Sequence, residues 1–317
     1  MPLAFEKPID DLAARIGDMR AYAEEQQIDL SEEISLLENR LERLKEEIFA
    51  DLTRWQRVQV ARAAGRPTGL DYVQHLFADF TELHGDRTLG DDAALVTGLG
   101  QLEGRSVVVL AQQKGRDTKE NIQRNFGMAH PSGYRKAMRM FELADKFGLP
   151  VVTFIDTPGA YPGVAAEEQG QAWVIAESIQ RMSQLKVPAV TIVIGEGGSG
   201  GALAIGVANR VLMLENSIYS VISPESCAAI LWRDAGEAEK AAEALRLTAK
   251  DLLELNIIDS MIKEPTGGAH RDPKTTLDCV KERVRGELEL LSQMSEEQLV
   301  QGRYERFRAL GRFETLS

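Results

Sequence analysis

The chain has 317 residues, 44% of them apolar, and a formal charge of −12 from 37 Lys and Arg against 49 Asp and Glu. That balance disfavours nonspecific binding to nucleic acid or to an anionic membrane. Two isolated cysteines, Cys227 and Cys279, argue against a disulfide framework or a cysteine-based metal centre. The opening MPLAFEKPIDD lacks the apolar core of a signal peptide, and no apolar run is long enough to span a bilayer, so a soluble cytoplasmic protein is expected.

Residues 8–62 read as helical. Ile9, Leu12, Ile16 and Met19 mark one apolar stripe, and Asp29 with Glu32 signals the start of a second helix. Leu30, Ile34, Leu37, Leu41, Leu44 and Ile48 alternate in steps of four and three, a heptad seam too short to stand alone. A helical hairpin that packs on something else is expected, with residues 1–66 as an arm that packs either on its own chain or against another subunit, and 67–317 as the main domain. Gly65 and Pro67 break the helical run. Asp71–Leu83 reads as an amphipathic helix with Val73, Leu76, Phe77 and Phe80 on one face. Ala94–Leu99 and Ser106–Gln112 read as paired strands joined at Gly104. A helix is expected from Pro131 to Phe147, ended by Gly148 and Pro150.

An α/β rhythm follows. Val151–Asp156 and Ala189–Ile194 are continuous apolar runs, the pattern of strands buried on both faces. The first ends in Thr157-Pro-Gly-Ala-Tyr-Pro-Gly163, followed by a helix over Glu167–Leu185. The second ends in a stretch with six glycines between Gly195 and Gly206, followed by a helix of small residues. Val211–Leu214 and Ile257–Ile262 read as further strands, with a helix over Glu237–Leu255 between them and a helical region over 275–310. Such alternation predicts an α/β fold with ligands at the carboxyl ends of the strands.

The glycine turn admits several readings. Gly195-x-Gly197-x-x-Gly200, with Glu215 ending the next strand, matches a dinucleotide fingerprint. Gly197-x-Ser199-x-Gly201 matches a nucleophile elbow, with Asp234 or Asp259 and then His270 in hydrolase order. Asp156-Thr-Pro-Gly159 resembles a GTPase motif, but no phosphate-cradling G-x-x-x-x-G-K-[ST] accompanies it. The last reading uses both turns. Backbone amides of the Thr157–Gly163 turn and of Ser199-Gly-Gly-Ala202 would converge on one oxygen as an oxyanion hole that has no nucleophile of its own. The four histidines show no metal-ligand spacing. Lys114, Arg116, Lys119, Arg124, Arg135 and Lys136 form a basic cluster that is either a solvated face or an anion contact.

Four segments, FGMAHPSGYRKAMRM (126–140), FIDTPGAYPGVAAEEQGQ (154–171), IGEGGSGGALAIGVAN (194–209) and YSVISPESCAAILW (219–232), together resemble the carboxyltransferase α subunits of bacterial acetyl-CoA carboxylases. The resemblance spans essentially the whole chain. It implies a crotonase-type (ClpP-like) spiral of ββα units. It implies transfer of a carboxyl group from carboxybiotin, held on a biotin carboxyl carrier protein, to acetyl-CoA, giving malonyl-CoA for fatty-acid synthesis. It also implies a β-subunit partner in an α2β2 assembly that supplies most CoA contacts and the zinc ribbon, and a separate biotin carboxylase. The site residues it implies are Gly200, Gly201, Gly159 and Ala160 as oxyanion donors, with Tyr161, Gly163, Gly198 and Ser199 beside the biotin and no metal in this chain. Ser199 is then a turn residue.

Overall fold

The computed structural model describes residues 3–311. A short 3-10 turn leads into two long helices, α1 (Lys7–Gln26) and α2 (Ser31–Ala50), which pair as the hairpin expected from the two apolar stripes. The seam of α2 is only half-buried: Ile34, Leu37, Leu41, Leu44 and Ile48 all keep part of their surface in solvent. Helix α3 (Arg54–Ala61) starts at a Thr53–Gln56 capping box. It belongs with the body: Val58 and Ala61 pack with Ile218, Ala242 and Leu247, and Arg54 pairs with Glu243 and Asp251.

Helix α4 (Gly69–Leu76) is followed at once by strand β1 (Ala78–Glu82), which corrects the single helix expected over 71–83. Strands β2 (Leu95–Leu102) and β3 (Arg105–Gln112) form an antiparallel hairpin. After the short helix α5 (Thr118–Gln123), helix α6 (Pro131–Phe147) starts with proline in its first turn and stops at Gly148, which takes the left-handed conformation at φ 65°. Strand β4 (Val151–Thr157) follows. The single helix expected over 167–185 is two, α7 (Val164–Glu168) and α8 (Gln171–Ser183), broken at Gly170 with φ 79°. Strand β5 (Ala189–Gly198) runs four residues further than its apolar stretch. Then come α9 (Ser199–Leu203), β6 (Arg210–Leu214), β7 (Ile218–Ser220), α10 (Pro224–Trp232), α11 (Ala238–Leu245), α12 (Ala249–Glu254), β8 (Ser260–Ile262), α13 (Pro273–Leu291) and α14 (Glu296–Arg308). The helix expected over 237–255 is thus divided, with Arg246 at φ 50° between its halves.

The strands form one sheet in the order β1-β2-β3-β4-β5-β6-β8, antiparallel through β3 and parallel beyond it. Alternate residues feed two cores. Val108, Leu110, Val151, Ile155, Val193 and Met213 face α6, α8 and α9, while Val109, Ala111, Val152, Phe154, Ile192 and Leu212 face α4 and α13. Strand β5 pairs with β6 along Val190–Val193 and then with β7 along Glu196–Gly198. Its glycine end therefore stays extended and sheet-bound up to the residue where α9 starts.

Candidate active site

The two turns lie at the carboxyl ends of β4 and β5 and meet backbone against backbone. A β-carbon on Gly198 would collide with the Pro158 carbonyl, and one on Gly201 with the Gly159 carbonyl carbon and the Ala160 nitrogen. Only glycine permits that approach. On the outer side, nothing lies within 4 Å of where a Gly159 β-carbon would be, and Ile175 alone approaches the same point on Gly200. Bare main chain therefore borders open space, which is what close approach of a ligand oxygen requires.

The amides differ in availability. The first turn is closed on itself: the Thr157 hydroxyl donates to the Gly159 carbonyl (2.6 Å) and accepts from the Gly159 amide (3.1 Å). The Tyr161 amide donates to the Ala129 carbonyl at 3.0 Å. Among the described residues the half-exposed Ala160 amide has no hydrogen-bond partner. Ser199, Gly200 and Gly201 form the first turn of α9, where amides have no intrahelical acceptor, and no side chain caps them. The expected donors Gly200, Gly201 and Ala160 are thus brought together. The Gly159 amide is already engaged by Thr157.

A five-residue helix has little stability of its own. Here its carbonyl end is pinned by side chains from the sheet and α8. The Gln112 amide donates to the Gly201 carbonyl (2.8 Å), the Ser178 hydroxyl to Ala204 (2.6 Å) and the Thr153 hydroxyl to Ile205 (2.8 Å). The carbonyl end is saturated while the amide end stays open, and the aligned peptide dipoles favour negative charge there.

Beneath the turns β5 bulges. Ile155 pairs with Val193 and Thr157 with Gly197, so Ile194, Gly195 and Glu196 stand opposite Asp156 alone. The Asp156 carboxylate fills the bulge, accepting from the Glu196 amide at 3.0 Å and the Lys114 ammonium at 2.7 Å. Lys114 also reaches Glu196 at 3.5 Å, and Arg62 pairs with Glu196 at 2.6 Å. Burial alone would lower the Lys114 ammonium, but Asp156 and Glu196 hold it above its ordinary value. Burial would raise the Glu196 carboxyl, but Lys114 and Arg62 hold it below its own. Of these four, Lys114 is legible in the sequence as part of a basic cluster and Asp156 as the start of a turn motif; Arg62, Glu196 and the pairing of the four are not.

Tyr161 stacks on His130 with ring centroids 4.1 Å apart, and a β-carbon on Gly163 would collide with the Tyr161 ring. Gly163 therefore supports Tyr161, which is half-exposed beside the turn. Of the other residues expected near a ligand, Ser199 is exposed and Gly198 is buried against Pro158. The basic cluster is dispersed into separate contacts: Arg116 pairs with Asp71, Arg124 donates to the Ala93 carbonyl, Arg135 to the Gln169 carbonyl, and buried Lys136 pairs with Asp91. A cleft of about 680 Å³ is lined by residues 61–68, Lys114, Gly115, Arg116 and Asp156, and includes nothing from 157–163 or 198–201.

The competing readings lack their partners. Ser199 takes a left-handed φ of 52°, as a nucleophile elbow would, but His270 bonds to Glu6 at 3.0 Å and Asp234 to the Gly236 amide at 2.8 Å. Asp259 is held by Arg306 at 3.0 Å, so none of the three relays a proton to Ser199. For a dinucleotide, α9 is a single short turn, and Glu215 accepts from the Glu264 amide at 3.3 Å. Among the described residues no group of three or more His, Cys, Asp or Glu side chains could hold a metal ion, and no helix is long and apolar enough to cross a membrane.

The family described as acetyl co-enzyme A carboxylase carboxyltransferase-like matches residues 2–311. The chain belongs to that carboxyltransferase family. It is 64% identical over 313 residues to the acetyl-coenzyme A carboxylase carboxyl transferase subunit alpha of Thermus thermophilus, covering 99% of both chains. Against the protein of the same name from Bacillus velezensis it is 55% identical over 310 residues, covering 98% of this chain and 95% of that one. Among solved structures, transcarboxylase 12S superposes with a TM-score of 0.60 at 20% identity, over 74% of this chain and 42% of that one. A Pseudomonas malonate decarboxylase hetero-tetramer, solved with coenzyme A, gives 0.60 at 18% identity, over 77% and 96%. At those identities the likeness is one of fold, and it is the crotonase-type spiral expected of a carboxyltransferase.

Proposed function

We propose that this chain is the α subunit of an acetyl-CoA carboxylase carboxyltransferase. It moves a carboxyl group from carboxybiotin on a biotin carboxyl carrier protein to acetyl-CoA, giving malonyl-CoA for fatty-acid synthesis. One observation carries the chemistry: the turns after β4 and β5 touch main chain to main chain at Gly198 and Gly201, with an open face in front of them.

Carboxybiotin, when bound, supplies the carboxyl group and, once that has left, the basic nitrogen that takes the methyl proton. The chain's own part is electrostatic. The Gly200 and Gly201 amides donate from the start of α9, and the Ala160 amide from across the turn, to an oxygen on which negative charge develops. Such donors act in the transition state and need no reorganisation; losing one costs on the order of 3 kcal/mol. Tyr161, backed by Gly163 and His130, orients the ring, and Gly198 and Ser199 border it with main chain alone.

The shallowness of the face supports a site completed by a second subunit. An exposed apolar side chain, Val164 (76% exposed), directly follows the first turn, as at a surface that a partner covers. In this reading that partner is the β subunit in an α2β2 assembly, which supplies most CoA contacts. Biotin carboxylase recharges the carrier in the same cytoplasmic system, and neither nucleic acid nor membrane takes part. The division into an arm (1–66) and a main domain (67–317) belongs to the same proposal, with α3 fastening the arm to the body.

The test is malonyl-CoA formation by the purified chain, by β and by the two mixed, with only the mixture expected to be active. Gly201→Val in the mixture is expected to lose about a hundredfold or more in rate while still co-eluting with β. Full activity in that variant would contradict the reading.

A further inference from the structure

Resting on that function, we infer that Gln112 is a positioning residue that sets the α9 amides relative to the turn after β4. Gln112 ends β3 and is fully buried. The β3–β4 ladder stops at Ala111 opposite Phe154. The Gln112 side chain carries the hydrogen bonding onward: its Oε1 accepts from the Asp156 amide at 3.1 Å, and its Nε2 donates to the Gly201 carbonyl at 2.8 Å.

The Gly201 carbonyl depends on that donor. Four residues on, the Ile205 amide bonds to Ala202 at 3.3 Å instead of to Gly201. The other neighbour, the Tyr134 hydroxyl, is at 3.5 Å. One planar amide therefore joins the strand that carries the first turn to the helix that carries the second. Both sets of donors answer to its length. A buried glutamine with both ends satisfied is ordinary in a sheet. What sets this one apart is which two backbone groups it spans: one lies three residues before Gly159, and the other belongs to Gly201 itself.

Gln112→Glu separates positioning from packing, because it keeps size and shape. One carboxyl oxygen still accepts from the Asp156 amide. The other faces the Gly201 carbonyl and can donate only when protonated. In the assembled α–β complex with carboxylated carrier, kcat at pH 8 is expected to fall about tenfold or more, since small misplacements of catalytic groups cost that much. KM for carrier and acetyl-CoA should change by less than about twofold. As pH is lowered toward 6, kcat relative to the parent should recover. A second readout needs neither partner nor biotin: hydrogen exchange across 196–206 of the chain alone should rise, while that across 105–111 stays unchanged.

An unchanged kcat, a change in KM only, or a loss that does not respond to pH would overturn the inference. If Gln112→Glu fails to assemble, Gln112→Met, of similar length but without a donor, takes its place; it is expected to lose kcat at every pH. Failure of both to assemble would make Gln112 a folding residue and overturn the inference too. Gly201→Val run alongside tells the two failures apart. If Gly201→Val is inactive and Gln112→Glu fully active, the oxyanion reading stands and the positioning role falls. If Gly201→Val is fully active, the oxyanion reading itself fails.

Discussion

The carboxylate of Asp156 occupies the space in which a side chain on Gly195 would lie: a β-carbon there would sit 2.6 Å from Asp156 Oδ1. The bulge in β5 and the absence of a side chain at 195 are one device, which lets a strand-end carboxylate hold the Glu196 amide and the Lys114 ammonium together under the turns.

Gly195→Ser is therefore expected to push Asp156 out of the bulge. Overpacking of this kind costs about 1–3 kcal/mol, and the loss should appear as a lowered melting temperature. Carboxyl transfer should fall further than the melting temperature explains, because Asp156 directly precedes the turn that bears Ala160. A variant with parental stability and rate would show that the bulge does not need the carboxylate.

Ser199 is exposed and holds a left-handed φ of 52°, and the expected partners His270, Asp234 and Asp259 are engaged elsewhere. Ser199→Gly should keep the rate within about threefold of the parent and leave stability unchanged or slightly higher, because glycine adopts that backbone conformation freely. A fluorophosphonate serine probe should not label the parent chain. Labelling at Ser199, or a loss of turnover beyond about tenfold, would revive a nucleophilic role.

Arg66 and Glu264 form a buried, two-pronged pair at 2.9 and 2.8 Å, and Arg66 also donates to the carbonyl of Ile194, the first residue of the bulge, at 3.0 Å. Burial would raise the Glu264 carboxyl, but Arg66, Asn216 and the Ala269 amide bring it down from its ordinary 4.5 to about 2. A carboxyl lowered in this way adds stability that is fully present above pH 4.5 and is lost as pH falls toward 2. Glu264→Gln leaves a buried guanidinium without its counter-charge, at a cost of about 3–5 kcal/mol at neutral pH. Melting curves from pH 7 to pH 3 should show the gap between parent and variant narrowing as the medium becomes acid. A constant gap would mean that the pair is not the cause.

Removing residues 1–50 takes away the α1–α2 hairpin and leaves α3, whose Arg54 and Arg62 tie it to Asp251 and Glu196. The truncated chain should keep a cooperative melt and the fold of its sheet, and it should lose association with β, read by light scattering after size-exclusion chromatography. Association at parental strength would confine the arm to an intramolecular role. A cut at residue 62 would confuse the matter by removing α3 as well.

The central strands are readable because Val151–Ile155 and Ala189–Ile194 are apolar on both faces and flanked by proline and glycine. The extension of β5 through Gly198 is not, since four residues with three glycines among them look like a turn until Tyr219 is seen paired opposite. Phe77 and Phe80, three apart, suggest a helical face. They instead lie over Gly100 and Gly98 of β2, and the bulge begun at Asp79 (φ 51°) lets both rings cover the same sheet surface. The paired turns were visible as motifs. Their support was not, because Gln112, Thr153 and Ser178 act on carbonyls 89, 52 and 26 residues away. A buried glutamine closing the run Val107–Ala111 was the single local hint.

The main-chain character of the face in front of Gly159, Gly200 and Gly201 has a practical corollary. Peptide amides do not titrate in the physiological range and offer no activated side chain to alkylate, acylate or oxidise. Reagents that silence serine, cysteine or lysine enzymes should leave its donors intact, and an effective inhibitor would have to present an oxyanion mimic of its own.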